Sequence, residues 1–301
     1  GGIDQKQTDF IYMQTGFVLE PIKNWLTSVD FNYRIKSADR HWDRQPFVQH
    51  DVNESPYYRN STSYAHEDLL KENYYNFNAR SEYSFSLNDS HHFHVMGGFQ
   101  TEELKQKWFG LQRDGILIGE KPEIDLTSGL DINGNPITPS VNGGQSSWST
   151  VGFFGRVNYD YKSRYLFEVN VRADGSSRFR QGNQWKTFPS ASIGWNIAEE
   201  HFFEPLRDIV DMLKIRGSYG TLGNQNTNNW YYTFQTLSVS PSSGGWLQNG
   251  RKPNTAWAPG LVSEALTWET VESFNIGFDW GAFRNKLTGS FDYYVRNTLY
   301  M

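Results

Sequence analysis

Residues 149–172 read STVGFFGRVNYDYKSRYLFEVNVR. Val151, Phe153, Gly155, Val157, Tyr159 and Tyr161 occupy alternate positions, while Arg156, Asn158 and Asp160 stand between them. Successive side chains of an extended chain point to opposite faces, so this run is a strand with one greasy face and one wet face. After Lys162 and Ser163 the alternation resumes, with Tyr165, Phe167, Val169 and Val171 against Glu168, Asn170 and Arg172. The two runs predict a hairpin with a tight connection.

The same period extends along the chain. In 25–36, Trp25, Val29, Phe31, Tyr33 and Ile35 alternate with Ser28, Asp30, Asn32, Arg34 and Lys36. Similar runs cover 75–87, 93–101, 189–197, 213–219, 270–280 and 287–295, with a weaker one at 10–19. Together they predict roughly ten strands, most about as long as the ~9–11 residues that cross a bilayer when tilted. Sandwich strands are usually shorter, about 5–6 residues.

Connections alternate in length. Those at 21–24, 88–90, 162–163 and 281–286 are short, whereas polar segments at 37–72, 108–148 and 223–266, with a smaller one at 173–186, read as long loops. Short turns at one end and long loops at the other is the asymmetry of an outer-membrane barrel. Residues 198–212 break the pattern, because Glu199, Glu200 and His201 precede Phe202, Phe203, Leu206, Ile209 and Val210 at roughly helical spacing. A short helix at the turn end is expected there. Trp25, Phe93, Tyr159, Tyr161, Tyr165, Phe167, Trp195 and Trp280 lie on apolar faces close to short turns, where amphipathic rings would mark a membrane interface.

Composition narrows the function classes. The 301 residues carry 28 Lys plus Arg against 33 Asp plus Glu, a net charge of −5 that argues against a polybasic nucleic-acid module. Aromatics reach 16% although hydrophobic residues are only 37%, and Cys is 0, which removes disulfides, Cys-ligated metals and a thiol nucleophile. No stretch approaches the roughly 18 apolar residues of a membrane helix. A barrel is not excluded, because its strands average an apolar outside with a polar lumen. The start, Gly1-Gly2-Ile3-Asp4-Gln5, shows no basic region followed by an apolar core, so no signal peptide is expected.

The run Tyr165-Leu166-Phe167-Glu168, then Arg172-Ala173-Asp174-Gly175-Ser176-Ser177-Arg178-Phe179, Trp185, Phe188-Pro189-Ser190 and Gly194-Trp195, resembles the TonB-linked outer-membrane proteins of the SusC/RagA type. Glu200, Phe202-Phe203, 213–220 and Gly223-Asn224 follow in that family's order, as do Leu266-Thr267-Trp268-Glu269, 273–277 and 287–294. The resemblance implies an all-β, antiparallel transmembrane barrel wall, located in the outer membrane. It implies membership of an importer whose barrel of about 22 strands encloses a plug. This chain is then expected to be an internal part of that barrel domain over 1–301, without plug, TonB box or signal peptide. A SusD-like lipoprotein, the TonB-ExbB-ExbD complex, outer-membrane lipid and an oligosaccharide or peptide ligand are the implied partners. No cofactor, metal or nucleic acid is implied.

On the wet face, Arg156, Asn158, Glu168, Asn170, Arg172, Lys214 and Arg216 are the lumen candidates. Asp174, Arg178 and Arg180 form a charged rim loop, read either as a guard at the pore mouth or as Asp–Arg pairs holding a hairpin tip. Trp42, Trp108, Trp230, Tyr231, Trp246 and Trp257 fall outside the strand pattern, so they are the ligand-contact candidates, since flat rings stack on sugars or peptide side chains. Small cores fixing long loops explain the same rings equally well. His92 and His94 share a strand face without a third ligand at a recognisable spacing, so turn-end histidines are favoured over a metal site. Asp131, Asn133 and Asn135 read as an Asn-Gly turn rather than a calcium loop. No carboxylate pair, nucleophile or phosphate loop is spaced for catalysis, and the chain is read as not an enzyme. The rival from another class is a soluble or surface-attached glycan-binding β-module, which requires Phe153, Val157, Val169, Ile276 and Phe278 to be buried under a second sheet. A siderophore receptor or passive porin would share the barrel architecture.

Overall fold

The computed structural model describes residues 2–60, 62–226, 229–263 and 265–299, with backbone alone at 58–60. Its strands in chain order are β1 (Asp4–Ile22), β2 (Trp25–Arg44), β3 (Phe47–His50), β4 (Pro56–Asn60), β5 (Tyr64–Leu87), β6 (His91–Asp114) and β7 (Ser140–Tyr161). They continue with β8 (Tyr165–Ser176), β9 (Trp185–Asn196), β10 (Val210–Asn224), β11 (Ser238–Ser240), β12 (Thr255–Trp257), β13 (Glu269–Ala282) and β14 (Leu287–Leu299). Ten of them form one sheet in the order β1-β2-β5-β6-β7-β8-β9-β10-β13-β14, while β3-β4 and β11-β12 are separate two-stranded ribbons. Within the large sheet the strands are neighbours in chain order, the meander expected from the alternation of short and long connections.

Of the segments expected as loops, 37–72 is largely strand, and 108–148 is strand at its two ends. β2 runs on to Arg44 and β5 starts at Tyr64, while β6 extends to Asp114 and β7 starts at Ser140. The period-two signal disappears there because polar side chains occupy both faces, as in Ser37-Ala38-Asp39-Arg40. Backbone pairing continues regardless, since a strand with water on both sides has no reason to alternate. The four short turns match their expected positions. Lys162 and Ser163 have φ of 53° and 57°, and Asn88 and Asp89 have 51° and 49°, paired left-handed residues that reverse the chain within three positions.

The chain forms two compact units. In the first, made of 1–15, 31–76 and 103–147, cross-strand polar pairs are prominent. Arg40 binds Asp4 at 2.6 Å, Lys36 binds Glu72 at 3.0 Å, and the Tyr33 hydroxyl donates to Asn73 at 3.1 Å. Its 115–139 connection contains the expected Asn-Gly turn: Asp131 accepts from the Asn133 and Asn135 amides, both at 2.8 Å, and from the Asn135 side chain at 3.0 Å. These donors hold the Asp131 carboxyl below its ordinary value.

The second unit, 16–30, 77–102 and 148–301, has two chemically distinct faces. Register places Val157, Val169, Ala191, Tyr219, Phe274 and Val295 in one row across six strands. The next row is Asn158, Glu168, Ser192, Ser218, Asn275 and Tyr294, pointing the other way. Rings border the apolar face at both ends. Near the short turns, Phe93 packs on Tyr159 at 4.9 Å, and Tyr161 stacks on Tyr165 at 6.2 Å. A second row, absent from the sequence reading, runs Phe77–Phe99–Phe153–Trp185 at centroid spacings of 6.3, 5.2 and 6.2 Å. Trp185 can reach Phe153 because Gly175 lies beneath it; a Cβ at 175 would sit 2.7 Å from the indole.

Residues 197–206 form two 3-10 turns, Ile197–Glu199 and His201–Leu206, instead of the expected short helix. Pro205 lacks the amide that an α-helix would use there. Glu200 pins the segment, accepting from the Tyr165 hydroxyl at 2.7 Å and the Trp195 indole N–H at 3.1 Å, with Arg164 at 3.6 Å. Those donors depress the Glu200 carboxyl below its ordinary value. A depressed carboxylate stabilises the fold above its unfolded pKa, and the contribution disappears as pH falls through the folded value. In the purified full-length protein, Glu200→Gln is therefore expected to lower the unfolding midpoint above about pH 5 and to converge with wild type in stronger acid. A constant difference across pH would show that the charge is not what pins the segment.

Candidate functional site

The polar face of the second unit is the candidate site. Arg156 Nε donates to Asn170 Oδ1 at 2.5 Å, and the Asn158 and Asn170 amides donate to Glu168 at 2.6 and 2.8 Å. Arg172 grips Asp174 at 2.7–2.8 Å, reaches Gln100 at 3.2 Å and lies over the Phe154 ring at 5.6 Å. Arg216 bridges Asp279 at 3.1 Å and Asp292 at 2.7 Å, joining three strands. All the lumen candidates, Arg156, Asn158, Glu168, Asn170, Arg172, Lys214 and Arg216, share this face by register.

Two concavities open on it. One of about 900 Å³ is bordered by Asn158, Glu168, Lys214 and Arg216. Another of about 720 Å³ is bordered by Phe154, Arg156, Arg172, Asp174, Phe188 and Trp268. The charges here are mostly matched to opposite charges or amides within the wall, an arrangement that wets a surface rather than poising a reactive group. His92 and His94 are bonded to Ser86 at 2.7 Å and Ser84 at 2.9 Å.

The rim group divides. Asp174 lies on β8 and pairs with Arg172 on the same strand, so this pair belongs to the wall and not to a turn. Arg178 and Arg180 do not join that pair. Arg178 is only 7% exposed, packs over Trp148 at 4.9 Å and donates to the Gln225 carbonyl at 3.2 Å, and burial pushes its guanidinium below the usual value. Arg180 donates to the Thr233 carbonyl at 2.8 Å and lies over Phe234 at 5.7 Å. Both arginines thus secure the long 225–268 segment, because bare carbonyls there need donors once removed from water.

The ring candidates also separate. Trp42 and Trp108 are not in loops but on β2 and β6 of the first unit. Trp42 packs edge-on against Tyr64 at 5.2 Å and over His66 at 4.8 Å. Trp230, Tyr231, Trp246 and Trp257 lie in the 225–268 segment of the second unit, with Trp257 on β12. Trp246 and Trp257 are the open ones, at 65% and 63% exposure. The six residues therefore do not form one cluster within a unit.

Several site residues escaped the sequence reading. Asp279 and Asp292 sit at wet positions, so their face was legible but their shared partner Arg216 depends on register. Phe154 and Phe188 carry rings to the polar face, against the alternation rule. Phe188 is buried with Phe179 and Trp268, at centroid distances of 5.6 Å from Trp268 to Phe188 and 5.5 Å to Phe179. Gly223 leaves room for the Phe188 ring where any Cβ would collide with it.

A family model described as TonB dependent receptor-like, beta-barrel, matches residues 3–299. TonB-dependent receptor P3 of Formosa agariphila is 31% identical over 242 residues, covering 80% of this chain and 22% of that protein. TonB-dependent receptor SusC of Bacteroides thetaiotaomicron is 37% identical over 148 residues, covering 49% of this chain and 15% of that protein. The solved structure of the RagAB peptide transporter superposes with a TM-score of 0.82 at 21% identity, over 99% of this chain and 31% of that one, a likeness of fold. The chain therefore spans about a fifth of the length of the curated relatives it matches.

Proposed function

The chain belongs to the TonB-dependent receptor-like β-barrel family of the outer membrane, and from that premise we propose that its ten strands are one arc of the wall of a SusC-type nutrient importer. The observation that carries the reading is the pair of adjacent rows, apolar through Val157 and Phe274 and polar through Asn158 and Asn275. One face suits lipid and the other an aqueous conduit, in which Arg156, Glu168, Arg172, Lys214 and Arg216 keep the wall wet.

The ligand class proposed is an oligosaccharide, for which the open Trp246 and Trp257 rings supply stacking surfaces at the long-loop end. A SusD-like lipoprotein covers that end and delivers the ligand, and the TonB-ExbB-ExbD complex supplies energy through parts of the protein outside these residues. The test uses the full-length protein. It should extract with the outer membrane as a heat-modifiable species, retain a surface lipoprotein on purification, and take up labelled oligosaccharide only when TonB is present. Uptake of peptide instead would replace the ligand class, and TonB-independent flux would indicate a porin.

The soluble glycan-binding module meets a specific obstacle. It needs a second sheet over Phe153, Val157, Val169, Ile276 and Phe278, yet Val169 is only half-buried and the other four are 52%, 40%, 47% and 39% exposed. Among the described residues the other sheets are two-stranded ribbons.

A further inference from the structure

The 3-10 segment at the short-turn end carries more exposed apolar surface than a water-facing connection needs. Phe202, Leu206 and Ile209 are 66%, 51% and 53% exposed, and Phe283, whose amide donates to the Ile209 carbonyl at 2.8 Å, is 57% exposed. Leu287 continues this surface onto β14, on the same face as Phe291 and Tyr293. Among the described residues of the second unit nothing covers these side chains, whereas the neighbouring Phe203 and Ala198 are buried.

The patch is continuous with the apolar face of the sheet. Phe202 meets the Trp195 ring edge-on at 6.4 Å. Beside Trp195 an apolar groove of about 430 Å³ passes over Gly217, walled by Tyr165, Phe167, Ile193, Ile215 and Ile276. Glu200 holds the segment against this border through Tyr165 and Trp195, both residues of the apolar face. Exposed Glu204 and Asp208 lie between the apolar residues, and exposed Arg284 and Lys286 follow Phe283 in the turn before Leu287. Apolar side chains interleaved with charges at the edge of a lipid-facing wall is the composition of a segment lying in the headgroup and acyl boundary.

We propose that residues 197–209, with Phe283 and Leu287, form an interfacial anchor seated in the periplasmic leaflet of the outer membrane. Phe202, Leu206 and Ile209 dip among acyl chains, and the groove over Gly217 receives one chain of a phospholipid. This rests on the barrel reading, so the experiment separates the two. In full-length protein reconstituted into phospholipid vesicles, a single environment-sensitive fluorophore is placed through Leu206→Cys, Glu204→Cys or Val157→Cys, in a background without other cysteines. The label at 206 should be quenched by lipid bearing a nitroxide near its headgroup, and less by one bearing it near the chain end. The label at 204 should be quenched by aqueous iodide, and the label at 157 by the chain-end nitroxide. If 157 responds as expected but 206 is as open to iodide as 204, the anchor is overturned and the barrel stands. A 206 label shielded from both quenchers would mean that protein covers the patch, which also overturns the lipid assignment. A 157 label untouched by lipid would remove the barrel reading itself.

Discussion

Val157→Arg is expected to cut the yield of folded protein in the outer membrane sharply while leaving its secretion to the periplasm unchanged. Val157 is 40% exposed on the apolar face and lies midway between the two ring rows that Phe153 and Tyr161 mark on β7. Eight residues separate those rings, which at ~3.3 Å per residue and a tilt near 40° gives a band of about 20 Å, close to the apolar belt of outer-membrane barrels. Position 157 is therefore near the bilayer midplane, where an arginine costs about 2–4 kcal/mol. The measurement is the fraction of heat-modifiable protein in the outer membrane. Asn158→Arg, one residue away on the wet face, should fold almost normally. Equal losses for both would contradict the two-faced wall.

The second large effect is expected from Trp268→Ala. Trp268 is buried between Phe179 and Phe188, and its indole N–H donates to the Gln184 carbonyl at 2.8 Å. Its own carbonyl accepts from Lys186 at 3.4 Å. Deleting a buried indole costs roughly 3–5 kcal/mol when the site does not collapse. The loss is local, because the cluster closes the 177–184 and 225–268 connections rather than the sheet. In the full-length protein, amide exchange at 177–184 should quicken by roughly a hundredfold or more, as 3 kcal/mol of local opening implies. Trypsin should also gain access to Arg178 and Arg180, with heat-modifiable mobility preserved. Trp268→Phe, which keeps the stack but loses the donor, should fall between. Unchanged exchange in the alanine variant would show that the 225–268 segment is held by Arg178 and Arg180 alone.

The division between what was readable in the chain and what was not follows the solvent on each side of a strand. Where one face meets lipid and the other water, every second residue must be apolar, so β7, β8, β13 and β14 and their turns are legible from 149–172 and its counterparts. The wet face of Arg156, Glu168, Lys214 and Arg216 follows from the same parity. Where polar side chains occupy both faces the constraint lapses, which is why 37–44 of β2, 64–72 of β5, 108–114 of β6 and 140–148 of β7 read as loops and Trp42 and Trp108 as loop rings. Pairing partners needed the tertiary structure, since register depends on how distant strands align: Arg216 between Asp279 and Asp292, and Phe153 in line with Phe77, Phe99 and Trp185. So did the fate of the rim arginines. The Asp174–Arg172 pair lies within β8, two residues apart, whereas Arg178 and Arg180 bind carbonyls of Gln225 and Thr233, distant in sequence. Alternation is a local response to solvent and can be read locally; the closing of long segments and the sharing of charges between strands are contacts across the chain, and only the folded sheet decides them.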